Sequence, residues 1–178
     1  MILEHWGATD TERSDALPGD ELVTDPAFSA TRSISLAAPP DDVFGWLAQM
    51  GTGRGGWYSY DLVDNFGRRS ATELRPEWQV SAVGDRVPAG PLGFTVTDLD
   101  RPHHLVLALL DAGGLGHGVD FSLAYRIDEA EDGAGTRLVS RARASVSGLA
   151  GAPLGWLLGV GDGFMVRRQL LGLKRRCG

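Results

Sequence analysis

Alternation of apolar and polar residues predicts β-strands over most of the second half of the chain. In Val119–Ile127 every second residue is apolar, as expected for a strand with one face buried. Short turn sequences, such as DRP and EDGAG, separate these segments, and short connections of this kind join antiparallel neighbours. The predicted strands are Ala30–Ala37, Asp85–Val87, Leu92–Leu99, His104–Leu110, Val119–Ile127 and Thr136–Val146.

A helical period predicts three further elements. Val43, Trp46, Leu47 and Met50 follow the i, i+3, i+4, i+7 spacing, so a helix is expected after the two prolines at 39–40, ending at Gly51. An aromatic or leucine residue at every fourth position favours a second short helix over residues 57–66. The apolar segment at residues 151–176 predicts a long C-terminal helix with a break near residues 159–163.

The order of these elements predicts an α+β fold in one domain. Residues 1–28 show no sustained period and contain turn sequences, so they are expected to form an arm whose apolar residues pack on the body. Residues 29–178 are then a single domain, which suits a chain of 178 residues.

The glycine-rich stretch GTGRGG at residues 51–56 satisfies the G-x-G-x-x-G pattern of dinucleotide-binding proteins. That site needs the glycines between a strand and a helix, with the phosphate at the helix N-terminus. Here a helix precedes the glycines, and no parallel β-α-β unit follows. We therefore interpret the stretch as a tight link that brings Arg54 close to Trp57, Tyr58 and Tyr60.

The order of several local motifs resembles the SRPBCC superfamily, the START and pathogenesis-related lipid-binding group that includes polyketide cyclase/dehydrase-like bacterial proteins. The resemblance rests on strand one, then APPDDVFGWLAQMG, GRGGWYSYD, RPEWQ and VGDRV, and it covers about residues 5–176. It implies a helix-grip fold, in which a curved antiparallel sheet wraps around a long C-terminal helix and two short helices follow strand one. It also implies a cavity for an apolar molecule between the sheet and that helix.

The residues themselves suggest that this interior has room for a ligand. The inward-facing set of Thr136–Val146 includes Ser140, Ala142 and Ala144, which are small. The alternative is that bulky residues of the C-terminal helix, such as Met165, fill the space. Glycines recur every four residues at positions 151, 155, 159 and 163, which favours either close packing of helix and sheet or space beside a ligand entrance.

Composition narrows the partners that we expect. A net charge of -6 disfavours nucleic acid, and the longest apolar run is too short to span a membrane. The start of the chain lacks the features of a secretory signal, so a cytoplasmic protein is expected. The single cysteine, Cys177, and the scattered histidines show no metal-binding spacing, and we expect neither a metal nor a cofactor. The protein is expected to be a monomer or a homodimer.

The leading functional hypothesis is binding of a small hydrophobic molecule, such as a lipid, a polyketide or an aromatic metabolite. The alternative is a cyclase or dehydratase acting on a polyketide-like or aromatic substrate in the same cavity, which would require ionisable side chains to converge there. Catalytic candidates for that alternative are Tyr58, Tyr60, Asp61 and His104. Candidate ligand-binding residues are Arg54, Trp57, Tyr58, Trp78, Phe94, Phe121, Tyr125, Ser140, Ala142, Gly159 and Gly163.

Overall fold

The computed structural model describes residues 5–110, 118–130, 133–146 and 165–178, which form an antiparallel sheet and several helices. The helices are α1 (Asp10–Ser14), α2 (Pro40–Ala48), α3 (Asp61–Asp64) and α4 (165–174). The strands are β1 (Phe28–Leu36), β2 (Arg86–Ala89), β3 (Leu92–Asp100), β4 (His104–Leu109), β5 (Val119–Glu129) and β6 (Thr136–Val146).

The six strands form one sheet in the order β1-β6-β5-β4-β3-β2. Every neighbouring pair is antiparallel. Strands β2 to β6 form a meander, and β1 completes the sheet by pairing with β6. Each predicted strand is present, with ends at most two residues from the expected positions. The predicted α+β class with an antiparallel sheet is therefore confirmed.

Helix α2 forms where the apolar spacing predicted it. Pro40 occupies the first turn, where a missing backbone N–H costs nothing, and Asp41 and Asp42 favour the positive end of the helix dipole. The helix buries Val43 through Ala48 against the sheet.

The second predicted helix is shorter than the expected 57–66. Only Asp61–Asp64 is helical, because Tyr58 has a φ of +58° and Phe66 a φ of +51°, which no right-handed helix can contain. A short 3₁₀ turn at Pro76–Trp78 follows. The prediction from Tyr58, Leu62 and Phe66, which are spaced four residues apart, was therefore too long for α3.

The C-terminal helix is described over residues 165–174. Val166, Leu170 and Leu173 are buried in the same apolar cluster as the sheet. The predicted break at 159–163 and the earlier part of the predicted helix lie outside the described residues.

One face of the sheet, which we call the inner face, packs against α2 and α4. Leu105 and Leu107 of β4 and Leu123 and Tyr125 of β5 are buried there in the main apolar core. Because side chains alternate across a strand, Val106, Ala124 and Val139 lie on the opposite, outer face and form a second buried cluster with Leu17.

Residues 5–28, the described part of the N-terminal arm, cover the outer face. Helix α1 begins with a capping box, in which Thr9 and Glu12 each accept a hydrogen bond from the other's backbone N–H. Arg141 of β6 anchors the arm, because its guanidinium donates to the carbonyl oxygens of Glu12, Arg13 and Asp15 and to side-chain oxygens of Asp20 and Thr31.

Candidate functional site

A cavity of about 460 Å³ lies between the inner face and α4. This volume is within the usual range for sites that hold small organic molecules. The sheet, α4, the segment after α2, α3 and the turn between β2 and β3 surround it. The described lining residues are Trp57, Ser59, Val63, Asp64, Phe66, Ala89, Gly90, Pro91, Phe94, Phe121, Leu123, Met165, Val166 and Gln169.

Three aromatic rings form a continuous wall of the cavity. The centroids of Trp57 and Phe94 are 5.7 Å apart, and those of Phe94 and Phe121 are 5.8 Å apart. The rings are inclined to one another, the geometry that aromatic pairs favour. The fold therefore assembles three predicted ligand-binding residues from the loop after α2, from β3 and from β5.

The glycine-rich loop at residues 51–56 is a tight turn. Gly51 and Gly56 exchange backbone hydrogen bonds of 3.1 and 3.0 Å, and both have positive φ angles, which glycine adopts without strain. Arg54 donates to the carbonyl oxygens of Met50 and Trp78, so its guanidinium braces the polypeptide around this loop. These contacts give the loop a structural role.

The same loop holds two sides of the cavity together. Thr52 Oγ1 donates to the Asp64 carbonyl oxygen over 2.7 Å and accepts from the Gly90 amide over 3.0 Å. The Gly53 amide donates to Asn65 Oδ1, and the Asn65 amide group donates to the Arg68 carbonyl. Helix α3 and the β2–β3 turn are consequently fixed beside each other.

Phe66 identifies the entrance of the cavity, because it lines the space and is also 69% exposed. Its φ of +51° is unfavourable for a bulky residue. The Gly67 amide, which donates to the Asp61 carbonyl over 2.7 Å, closes α3 and holds Phe66 in this conformation. Local backbone strain of this kind is concentrated at binding sites.

Asp64 is the one ionisable residue among the described lining residues. Its Oδ2 accepts a hydrogen bond of 3.2 Å from the Tyr60 amide. Its Oδ1 is shielded from water and has no hydrogen-bond partner in the described part of the chain. Removal of this carboxylate from water raises its pKa to about 6, and the nearby Asp61 charge adds to the shift.

Gln169 supplies a polar group on the α4 side of the cavity. Its Oε1 accepts a hydrogen bond of 2.8 Å from the Tyr125 hydroxyl, and its amide nitrogen lies 3.2 Å from the Met50 sulfur. Gln169 is 3% exposed. These contacts fix its side chain between the sheet and the segment that follows α2.

The other predicted ligand-binding residues that the structure describes are not among the lining residues of the cavity. Tyr125, Ser140 and Ala142 are buried on the inner face, whereas Trp78 lies beneath the Arg75 guanidinium at the surface. Gly159 and Gly163 fall outside the described residues. The predicted residues absent from the described lining are Arg54, Tyr58, Trp78, Tyr125, Ser140 and Ala142.

The four catalytic candidates do not converge on the cavity. The buried Tyr58 hydroxyl donates to the Trp46 carbonyl, and burial raises its pKa. Tyr60 is 45% exposed, with the Arg168 guanidinium over its ring, and Asp61 accepts a hydrogen bond from Ser70. These three residues are absent from the described lining.

His104 requires a correction, because it lies on the outer face. Its strand neighbour Leu105 pairs with Tyr125 in the inner core, so the His104 side chain projects the other way. There its Nε2 lies 3.0 Å from a carboxylate oxygen of Asp98. A molecule in the cavity is separated from this imidazole by the sheet.

Ser59, Asp64 and Gln169 are the polar lining residues that the sequence analysis missed. Asp64 follows Val63 in α3, and neither its position in the helix nor its neighbours in sequence indicates loss of water. The sequence offers one weak signal for Gln169, which is an uncharged polar residue between the arginines and the leucines of α4.

Comparison with known proteins supports the fold alone. No family model matches the sequence, and no curated protein matches it. The structure is similar to that of a hypothetical protein from Helicobacter pylori, with a TM-score of 0.57 and 12% identity over 92% of this chain and 97% of that chain. It is also similar to a protein from Nitrosospira multiformis, with a TM-score of 0.51 and 12% identity over 85% of this chain and 97% of that chain.

No helix in the described residues has both the length and the apolar character needed to cross a membrane. Nor does the described part contain a group of three or more histidine, cysteine, aspartate or glutamate residues that could hold a metal ion.

Proposed function

We propose that this protein binds a small hydrophobic molecule between the inner face and α4, and that its fold is the helix-grip arrangement of the SRPBCC superfamily. The observation that carries the proposal is the cavity of about 460 Å³ with a wall of Trp57, Phe94 and Phe121. Aromatic and aliphatic linings of this size favour apolar ligands, because ligand entry removes apolar surface from water on both partners.

The position of the cavity also agrees with the resemblance in sequence. In a helix-grip protein the ligand occupies the space between the sheet and the C-terminal helix. Here Phe94 and Phe121 contribute from the sheet, and Val166 and Gln169 contribute from α4. The small residues Ala142 and Ala144 on the neighbouring strand β6 are buried on the same face, outside the described lining.

The polar groups favour binding over catalysis. A cyclase or dehydratase would need at least two ionisable groups close to the reacting atoms. Among the described lining residues only Asp64 is ionisable. The remaining polar side chains of the described lining, Ser59 and Gln169, are held by hydrogen bonds to the Met165 carbonyl and to Tyr125.

Binding of N-phenyl-1-naphthylamine, a neutral apolar dye that fluoresces in apolar surroundings, tests this proposal. We expect saturable binding to the native protein. Ala89→Trp places a large ring in the cavity from the edge strand β2 and should weaken dye binding about tenfold or more, a loss of about 1.4 kcal/mol.

Ala82→Trp is the matched control, because Ala82 is exposed on a turn outside the described lining. This variant should bind the dye as the native protein does. Equal dye binding by all three proteins, or no saturable binding by any of them, would contradict the proposed cavity site.

A further inference from the structure

The charge of the cavity lining distinguishes between classes of hydrophobic ligand. Asp64 provides the single charge among the described lining residues. Two arginines of the surrounding elements make other contacts. Arg54 donates to two backbone carbonyl oxygens, and the Arg168 guanidinium lies over the ring of Tyr60. An anionic ligand, such as a fatty acid, would therefore meet a negative charge without a compensating cation among the described lining residues.

The Asp64 carboxylate lacks partners in its present surroundings. A carboxylate can accept about four hydrogen bonds, yet Asp64 accepts one from the Tyr60 amide, and its Oδ1 accepts none in the described part of the chain. Its backbone is fixed by Thr52, which donates to the Asp64 carbonyl. A buried polar atom without a partner is costly, and a ligand that supplies a donor would remove that cost.

The aromatic wall suits the same class of ligand. Trp57, Phe94 and Phe121 present ring faces and edges that pack against a flat apolar body. Rings of this kind also attract cations, because the face of an aromatic ring is negative. A carboxylate and aromatic rings in one cavity are complementary to an apolar body that carries an ammonium group.

From this arrangement we propose that the ligand is an aromatic amine-bearing molecule whose protonated amine contacts the Asp64 carboxylate while its apolar part lies against the aromatic wall. This inference rests on the proposed function, and it specifies the ligand class for the same cavity. It assigns Asp64 as the residue that selects amines over alcohols and carboxylates.

Three probes with one ring system test the inference: 2-(aminomethyl)naphthalene, 2-naphthalenemethanol and 2-naphthoic acid. Their dissociation constants are measured by titration calorimetry at pH 8. We expect the native protein to bind the amine about tenfold more tightly than the alcohol, as a charge-assisted hydrogen bond provides. The carboxylate should bind more weakly than the alcohol, because it is repelled by Asp64.

Asp64→Asn separates the effect of the charge from that of shape. The amine should then bind as the alcohol does, while the alcohol itself keeps its native affinity. Asp61→Asn is the control, because Asp61 lies in the same helix but accepts its hydrogen bond from Ser70 and is not part of the described lining. This control should change the preference for the amine less than about twofold, since the Asp61 carboxylate is bonded to Ser70 and lies outside the described lining.

A pH titration of the native protein provides a second measurement without a substitution. Burial raises the pKa of Asp64 to about 6, so affinity for the amine should fall as pH decreases through 6. The charged groups on the neighbouring elements are Asp61, in the same helix, and Arg168, which extends from α4. The β2–β3 turn contributes only uncharged lining residues, namely Ala89, Gly90 and Pro91. Affinity for the alcohol should stay constant over the same range.

The outcomes separate the two proposals. If the alcohol binds and Ala89→Trp blocks it, but the amine has no advantage and Asp64→Asn has no effect, the assignment of an amine is wrong and the cavity site stands. If the dye binds but none of the three probes does, the inference is wrong and the cavity site stands. If neither the dye nor any probe binds the native protein, the proposed function fails together with the inference.

Discussion

On the outer face of the sheet, Arg141 is 5% exposed, and its guanidinium donates to five oxygen atoms of the arm and of β1. Beside the inner face, the Asp64 carboxylate accepts one hydrogen bond and leaves Oδ1 without a partner in the described part of the chain. Both side chains are charged; Arg141 is almost fully buried, whereas Asp64 is partly buried with its Oδ1 shielded from water. They differ in whether the protein itself supplies the partners.

This difference separates a structural charge from a candidate functional one. Native proteins pair nearly all their buried polar atoms, because an unpaired atom costs stability. The fully bonded Arg141 is explained by attachment of the arm to the sheet. The incompletely bonded Asp64 has no such explanation within the described residues, and it lies at a cavity. The ligand that we propose for this cavity would account for both observations.

The largest expected effect on stability comes from removing the Arg141 side chain on the outer face. Arg141→Ala removes a buried cation and leaves the carbonyl oxygens of the arm without this donor. Asp20 loses its 2.6 Å ion pair and keeps the Leu17 amide and the more distant Arg143 guanidinium. Loss of one partner of a buried ion pair costs about 3–5 kcal/mol. Urea unfolding at neutral pH should show this decrease in the free energy of unfolding.

Arg126→Ala is the matched control on the same face. The Arg126 side chain is 24% exposed and pairs with Asp128 and, at 3.7 Å, with Asp15 of the arm, which are 46% and 44% exposed. Because both carboxylates are exposed, its loss should cost less than about 1 kcal/mol. Equal losses for the two variants would show that Arg141 contributes no more than an ordinary surface arginine. The contrast between the two faces would then disappear.

A smaller effect is expected from acid, because Glu12 of the arm is paired with Arg137. Two hydrogen bonds of 2.7 and 2.9 Å from the Arg137 guanidinium lower the Glu12 pKa from 4.5 to about 2. The resulting stability, on the order of 2 kcal/mol, is complete above pH 4.5 and is lost as pH falls towards 2. Glu12→Gln should remove this part of the pH dependence.

Denaturant unfolding between pH 2 and 7 provides the measurement for Glu12. The native protein and Glu12→Gln should differ most above pH 4.5 and converge near pH 2. Glu21→Gln removes an equal charge from an exposed position of the same arm and should retain the native pH profile. Parallel profiles for native protein and Glu12→Gln would contradict the assigned pairing.

The strands of the inner face could be predicted from the sequence because their alternation is local and extends over many residues. The arm illustrates the limit of this reasoning. Its capping box, Thr9 to Glu12, was visible in the sequence as T-x-x-E, yet the absence of a sustained period led to an irregular arm. That Glu12 also pairs with Arg137 depends on a contact between residues 125 positions apart.

The candidate site was predicted only in part for the same reason. The aromatic wall combined Trp57 with two inward strand residues, Phe94 and Phe121, which alternation places correctly. Alternation of apolar and polar residues does not predict the burial of Arg32. This charged residue lies fully buried on the inner face, beside the apolar Ile34. The surroundings of Asp64 depend on the glycine-rich loop and the β2–β3 turn, which no local pattern brings together.

The smallest effect is expected at Asp64, and its sign is opposite to that at Glu12. The folded protein raises the pKa of Asp64 from 3.8 to about 6, so between these values the folded state binds more protons than the unfolded state. Its stability must then fall as pH rises from 4 to 6. Asp64→Asn removes this loss and should make the protein more stable above pH 6, by less than about 1 kcal/mol because solvent screens the partly exposed group.

The comparison of Asp64→Asn with the native protein at pH 4 and pH 7 therefore tests the contrast between the faces directly. The two proteins should unfold alike at pH 4, and the variant should be the more stable at pH 7; Asp25→Asn, at an exposed position of the arm, should show no such difference. A variant that is less stable at both pH values would mean that the carboxylate has a structural partner. A variant that gains stability and loses its preference for the amine would show that the protein keeps this charge at a cost in stability, as expected for a binding residue.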